Sequence, residues 1–317
     1  MKLKKVKFKN LSHKKQKKLM KTVDQLKPID DPMAQKMLEG EGVSQEVLRI
    51  VLENPGLNIV SSEPQKYLRN LGKARSVILD DLCFDEEMNW YDLEVQKSDD
   101  EDHPKRLRYN ISNMDTYMVE KGTEFNQMKK STAVMLTKKN FLYHQGFAQI
   151  NQTTYESECC LKDTGTGLSV GVRMVFVNAE GEDNTPAAKL MRFMVNGEGE
   201  GDFPLLRERY RYFTEENKGR RTMCELIENL IREENAEITK KYRKAVKKAE
   251  KAKKERDAAM RERDAAVKKA KENEISSFVT AAYDFGQSSL QAVSYLMTKL
   301  NCSEEEAEKW TRKYWPA

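Results

Sequence analysis

The sequence predicts an α/β protein whose sheet-bearing part precedes a long charged helix. Two segments rich in β-branched, aliphatic and aromatic residues, 77–84 and 90–95, flank a polar turn and predict a β-hairpin. Periodic patterns on either side of it extend the order to helix, strand, strand, strand, helix, strand. From residue 236 the composition becomes almost entirely Ala, Lys, Arg and Glu, which is typical of a solvated helix.

The first elements lead up to the hairpin. Residues 1–28 form a lysine-rich lead-in that is amphipathic at best. The apolar spacing of residues 44–53 predicts a helix, with Ser44 as its N-cap and an Asn-Pro-Gly run at its end. Residues 57–60 then predict a short strand.

The hairpin carries acidic residues where a strand is usually apolar. Side chains alternate between the two faces of a strand, so Asp92, Glu94 and Gln96 share one face. If Asp85 pairs with Asn89 across a three-residue loop, Asp80 lies opposite Glu94. The same register sets Phe84 opposite Trp90, whereas a slip of one residue would oppose Asp81 to Asp92 and Leu79 to Glu94. The first register is therefore favoured.

Opposed carboxylates at positions 80 and 94 need a compensating charge. With Cβ atoms about 5 Å apart they repel one another unless a cation lies between them or one stays protonated. A hard divalent cation, Mg²⁺ or Mn²⁺, meets this need. The alternative is an ordinary polar face on an edge hairpin.

A helix follows the hairpin. It begins at Pro104, and its apolar stripe steps by four, three and four residues through Leu107, Ile111, Met114 and Met118. Its opening turn carries Lys105, Arg106 and Arg108. Positive side chains beside free N–H groups suit a phosphate, although an ordinary charged helix start has the same composition.

The elements after this helix complete the predicted sheet and set the domain boundaries. Strands are predicted over 132–136, 147–156 and 170–177, and helices from Pro186 and over 204–234. We therefore expect a sheet-bearing domain over 29–235, a charged helix or weak coiled coil over 236–275, and a small helical module over 276–317 that serves docking or oligomerisation.

Composition narrows the class of protein. The 317 residues are 34% charged with a net charge of +5, and the basic segments suit nucleic acid, although simple solvation explains them too. The start has no apolar leader and no stretch is long enough to span a membrane, so we expect a soluble protein of the cytoplasm. Five cysteines without a C-x-x-C motif and three scattered histidines argue against disulfides, zinc and a catalytic triad.

Three motifs resemble the PD-(D/E)xK nuclease superfamily, in its branch of recombination-promoting nucleases and transposases. They are V-I-L-D ending at Asp80, Y-D-L-E-V-Q ending at Gln96, and R-L-R-Y-N-I-S-N-M-D from Arg106 to Asp115. The run F-V-N-A-E-G at 176–181 and the basic helical tail are similar as well. The resemblance covers roughly residues 31–234 and implies a restriction-endonuclease-like αβββαβ core with a mixed central sheet.

The resemblance also implies a function. Asp80 and Glu94 would bind Mg²⁺, or Mn²⁺ in its place, Gln96 would complete the catalytic set, and DNA phosphodiester would be the substrate. Gln96 stands where a lysine is usual, and it can position a water without carrying charge. The family's upstream helical acid has no clear counterpart; Glu46 is the candidate, with an ordinary acid in a helix's first turn as the alternative.

Two other functional classes compete with a metal-dependent DNA endonuclease associated with mobile elements or recombination. A catalytically inactive nuclease fold would bind nucleic acid through its basic segments, with a steep loss of affinity as salt rises. A structural protein would oligomerise through residues 236–317.

Overall fold

A computed structural model describes residues 5–69, 76–97, 103–119, 121–142, 151–157 and 159–316. Its strands are β1 (Ile59–Leu68), β2 (Val77–Asp85), β3 (Trp90–Gln96), β4 (Ser131–Thr137), β5 (Thr154–Ser157) and β6 (Val172–Asn178). They form one six-stranded sheet in the order β1-β2-β3-β4-β6-β5. The first three strands are antiparallel, β4 and β6 run parallel to β3, and β5 is antiparallel to β6. The sheet is therefore mixed, as expected.

The helices precede and follow these strands. They are α1 (His13–Val23), α2 (Asp31–Leu38), α3 (Val43–Val51), α4 (His103–Met118), α5 (Pro186–Asn196), α6 (Pro204–Thr214), α7 (Asn217–Asp284), α8 (Ser289–Leu300) and α9 (Glu304–Tyr314). The order α3-β1-β2-β3-α4-β4 is the predicted αβββαβ core. The fold class predicted from the sequence is confirmed.

The sheet is covered by helices on both faces. Odd-numbered residues of β3, such as Leu93 and Val95, join one apolar cluster with side chains of α2, α3, α5 and α6. On the other face, α4 contributes Leu107 and Ile111 to a cluster with Ala133 and other residues of β4 and β6. The even-numbered side chains of β3 therefore face α4.

The hairpin has the predicted register. The amide of Asp85 donates to the carbonyl of Asn89 at 3.2 Å, which closes the loop. Phe84 lies opposite Trp90, and their rings meet edge to face with centroids 4.6 Å apart. Such aromatic pairs stabilise a hairpin beyond the area that they bury. The alternation of faces read from the sequence is confirmed.

Local predictions upstream of the hairpin need correction. Ser44 is not the N-cap of α3, because Gly42, in a left-handed conformation with φ of 74°, takes that position. Glycine adopts this conformation without the steric cost of a Cβ atom. Ser44 lies inside the helix and is buried against the sheet. The strand predicted over 57–60 is β1, which continues to Leu68 because it pairs along the whole of β2.

The strand predicted over 147–156 is described only in part. Residues 147–150 lie outside the described residues, as do the first lysines of the basic lead-in. Within the described part, β5 begins at Thr154 and pairs with β6.

Contacts divide the chain into two compact units, one ending at Glu233 and the other beginning at Glu234. In the first unit, the basic α1 buries Leu19 and Val23 in the main apolar cluster, and Lys15 pairs with Glu228 at 2.7 Å. The second unit has a small core of its own around Val279. The finer division into four domains stays a prediction. No described helix has the length and apolar character that crossing a membrane requires.

Candidate active site

The two opposed acids of the hairpin meet at the point where the β2–β3 ladder opens. The last backbone pair recorded on this side is Asp81 with Leu93. Beyond it, the amide of Asp80 donates to Oε1 of Glu94 at 3.1 Å, and the amide of Val95 donates to Oδ2 of Asp80 at 3.0 Å. Each carboxylate thus accepts a backbone hydrogen bond from the opposite strand, which holds Asp80 and Glu94 side by side.

A third carboxylate lies on the same face. Asp92 and Glu94 are fully buried, and the Nδ2 atom of Asn110 on α4 donates to Asp92 at 2.8 Å. Burial and the charge of Glu94 hold the pKa of Asp92 well above its ordinary value. Burial likewise raises the pKa of Asp80. The site therefore concentrates carboxyl groups where water cannot screen them.

The pKa of Glu94 lies close to neutral pH. Burial and, next, the charge of Asp80 raise its pKa to about 7, against the opposing charge of Arg106. The ordinary pKa of a glutamate is 4.5. At neutral pH, Glu94 is therefore partly protonated in the protein.

Arg106 reaches both the acid and the amide at the end of β3. From the first turns of α4, its Nη2 atom donates to Oε2 of Glu94 and its Nη1 atom donates to Oε1 of Gln96, each at 2.7 Å. Lys105 and Arg108, predicted with Arg106 to bind DNA, are exposed on the same helix. Of these three cations, Arg106 donates to an acid of the site, Glu94.

Asp81 faces the opposite side of the sheet. It is fully buried and accepts hydrogen bonds from the hydroxyls of Ser44 and Ser62, the latter at 2.7 Å. These hydrogen bonds link β2 to α3 and β1, so the contacts of Asp81 are structural.

Glu46 has the contacts of a helix cap. Its two carboxylate oxygens accept the amides of Leu205 at 3.1 Å and Leu206 at 2.9 Å, at the start of α6. The N-cap residue of α6, Phe203, has no side-chain acceptor of its own. Glu46 satisfies these amides in its place.

Asp31 has a minor effect on the pKa of Asp80, which burial raises first of all. It opens α2, and its charge contributes to the raised pKa of Asp80. Asp31 is not among the site residues predicted from the sequence, because no helix is predicted between residues 29 and 43. The available signal was an Asp-Asp-Pro start followed by apolar residues at helical spacing, which marks a helix N-terminus.

Lysines line a cavity next to Asp31. The cavity has a volume of about 690 Å³, and Lys97, Lys138 and Lys139 contribute to its wall. Lys97 and Lys138 directly follow β3 and β4, whose parallel register pairs Gln96 with Thr137. Lys97 also pairs with Asp30, and Lys139 pairs with Glu180 at 2.6 Å. This end of the sheet is therefore rich in cations.

The donor set at the hairpin fits a hard divalent cation. Across the described residues, no group of three or more His, Cys, Asp and Glu side chains is arranged to hold a metal ion. Mg²⁺, however, is usually held in nucleotide-processing sites by one or two carboxylates, with water and substrate phosphate completing its coordination. Asp80, which is half-buried, and Glu94, which is fully buried, supply two carboxylates whose mutual repulsion a cation would relieve.

The αβββαβ core and the acid pair at the end of its hairpin define the class of restriction-endonuclease-like proteins. A family model described as PD-(D/E)XK nuclease family transposase matches residues 38–193 of the chain. The matched segment runs from the end of α2 through the acidic hairpin to α5. No curated protein and no solved structure matches the chain.

Proposed function

We propose that this protein is a metal-dependent DNA endonuclease that hydrolyses phosphodiester bonds and acts with mobile elements or in recombination. The observation that carries the proposal is the side-by-side placement of Asp80 and Glu94, with Gln96 two residues further along β3. The match to a family model of nuclease-family transposases supports a DNA substrate.

Each residue of the site has a defined part in the proposal. Asp80 and Glu94 would hold Mg²⁺, or Mn²⁺ in its place. Such a cation, when bound, polarises the scissile phosphate and lowers the pKa of water. Gln96 presents an uncharged amide that can orient a water molecule or donate to a phosphate oxygen. The protonation of Glu94 near neutrality makes cation binding stronger as pH rises, because the ligand is the carboxylate.

The DNA backbone would approach along the cationic end of the sheet. Lys97, Lys138 and Lys139 line the cavity beside Asp31, and Lys105 and Arg108 are exposed on α4. Lysine and arginine contacts to phosphates supply affinity without sequence preference.

The test is cleavage of supercoiled and linear DNA by the full chain in Mg²⁺ or Mn²⁺. We expect cutting by the unmodified protein and none by Asp80→Asn or Glu94→Gln, since each removes a charged ligand but keeps the side chain's size. Glu87→Gln is the matched control, because Glu87 is an exposed acid in the turn of the same hairpin. Intact DNA with both metals would refute the proposal.

A specific observation supports a second candidate, a catalytically inactive nuclease fold that binds nucleic acid. Gln96 carries no charge, and α7 exposes a dense run of cations between Lys240 and Lys254. Salt-sensitive binding of intact DNA that is independent of Mg²⁺, together with absent cleavage, would favour this candidate.

A further inference from the structure

Arg106 brings a permanent positive charge to a site whose own strand has none. Its side chain is 28% exposed, while that of Glu94 is 1% exposed, so the pair bridges solvent and interior. A guanidinium stays charged at every pH at which proteins fold. Its planar fork matches two acceptors held side by side, which here are Glu94 Oε2 and Gln96 Oε1.

The contact with Gln96 also fixes the direction of its amide. A guanidinium only donates hydrogen bonds, so the Gln96 atom that faces Nη1 of Arg106 is the oxygen. The amide nitrogen therefore points away from Arg106.

Hydrolysis of a phosphodiester builds negative charge on the phosphate oxygens. Preorganised donors and cations close to that charge lower the barrier most in a water-poor site. Gln96 contributes donors but no charge, and the adjacent Lys97 extends to Asp30 instead. Arg106 is a cation that contacts both Glu94 and Gln96.

We propose that Arg106 is a positioning residue of the nuclease site, which orients the Gln96 amide and supplies from α4 the positive charge that Gln96 lacks. This inference rests on the proposed endonuclease function. It differs from the sequence-based expectation that Arg106, like Lys105 and Arg108, serves to bind DNA. A DNA anchor contributes to affinity, whereas a positioning residue contributes to the rate of the bound complex.

The kinetic test compares Arg106→Gln with Arg211→Gln, a control at an exposed arginine of α6 that lies outside the proposed site. We expect Arg106→Gln to lower kcat by about 100-fold or more, as loss of a preorganised donor does, with little change in KM. Arg211→Gln should leave kcat unchanged. Adding Gln96→Lys to Arg106→Gln should raise kcat again by at least about tenfold, because the new lysine places a cation on β3.

A second measurement does not depend on cleavage. Arg106 neutralises Glu94 when no metal is bound, so Arg106→Gln should melt at a lower temperature than the unmodified protein in chelator at pH 8. Mn²⁺ should then raise the melting temperature of Arg106→Gln by more than it raises that of the unmodified protein. If Arg106 had a purely structural role, Arg106→Gln would lower the melting temperature equally in chelator and in Mn²⁺. The increase that Mn²⁺ causes would then be the same as in the unmodified protein. Arg106→Lys, which keeps the charge, should shift less than Arg106→Gln.

The outcomes separate the two proposals. If the unmodified protein cuts DNA and Arg106→Gln cuts equally well, the role of Arg106 is refuted and the endonuclease stands. A loss of activity that appears only in KM, with no recovery on Gln96→Lys, identifies a DNA anchor and also refutes it. If the unmodified protein does not cut DNA, the endonuclease fails, and the Mn²⁺ shifts decide alone: a larger shift in Arg106→Gln supports the charge role and equal shifts overturn it.

Discussion

Three carboxyl groups crowd the face of β3 and β2 that α4 covers. Asp80, Asp92 and Glu94 are held there by backbone amides, Asn110 and Arg106. Burial raises the pKa of each, and the charge of one raises that of another. Such a cluster costs folding free energy once it ionises, which is typical of a site kept for function.

The stability of the metal-free protein should therefore depend on the protonation of Glu94. Its pKa is 4.5 ordinarily and about 7 in the folded protein, so the folded state binds more protons between these values. The stabilising contribution is complete below about pH 4.5 and is lost as pH rises through about 7. Glu94→Gln removes this loss. We expect the melting temperature of Glu94→Gln, relative to that of the unmodified protein, to be higher at pH 8 than at pH 5.

Thermal melting in chelator at both pH values measures this difference. Glu87→Gln is the control, and its melting temperature relative to the unmodified protein should stay constant across the same range. A difference for Glu94→Gln that does not change with pH would contradict the assigned protonation.

Asp81 provides a contrast on the neighbouring position of β2. It accepts hydroxyls from Ser44 and Ser62 inside the protein, on the face away from α4. Asp81→Ala leaves these hydroxyls without their acceptor, at a cost of about 1–3 kcal/mol in the free energy of unfolding. We expect urea unfolding to show this loss, while Asp80→Ala removes cleavage. Equal stability of Asp81→Ala and the unmodified protein would contradict the structural role.

At the scale of elements, the start of α6 depends on a side chain from α3. Glu46 accepts hydrogen bonds from two backbone amides there. The amides in the first turn of a helix have no partner within the helix. This contact ties together two helices of the layer that covers one face of the sheet. The charge of Glu46 also lies at the positive end of the α6 dipole.

Replacement of Glu46 distinguishes a cap from a catalytic acid. Glu46→Ala should lower the free energy of unfolding by about 1 kcal/mol, the usual cost of a lost cap, and leave the cleavage rate of the folded protein unchanged. Glu41→Ala, an exposed acid just before α3, should change neither quantity. Loss of cleavage in a well-folded Glu46→Ala protein would instead support the helical-acid role expected from the sequence.

At the scale of the whole molecule, the chain combines a unit that carries the αβββαβ core with a helical unit. The three apolar clusters around the sheet belong to the unit that ends at Glu233. Between Lys240 and Lys254, α7 is exposed, and its cations are interrupted by a single acid, Glu250. Self-association through residues 236–317 stays a prediction, as does the cytoplasmic location.

A chain that ends at Glu233 should fold and keep metal-dependent cleavage, because its core lies within the first unit. It should bind DNA more weakly, with a shallower dependence of log K on log salt, since each phosphate contact adds about 0.9 to that slope on duplex DNA. Fluorescence anisotropy at several salt concentrations measures both. Neutralising Lys247, Lys248 and Lys251 in the full chain is the matched variant. An unchanged salt slope in both proteins would exclude a DNA contact for this part of α7.

The sequence by itself determined the order of the elements in the αβββαβ core, the hairpin register and the shared face of Asp80, Glu94 and Gln96. These features follow from spacing within a strand and across a short loop, where a period of two residues decides which side chains meet. Helix starts were less accessible, as Ser44 and Asp31 illustrate, because several positions near a helix start carry plausible signals.

The tertiary structure alone decided which side chains that are distant in sequence meet. Arg106 reaches Glu94 and Gln96 because α4 crosses that face of the sheet, and Glu46 meets α6 across more than 150 residues of chain. No periodicity encodes such contacts, since they depend on how helices pack on the sheet. The hairpin thus revealed where the acids lie, and only packing revealed the cation beside them.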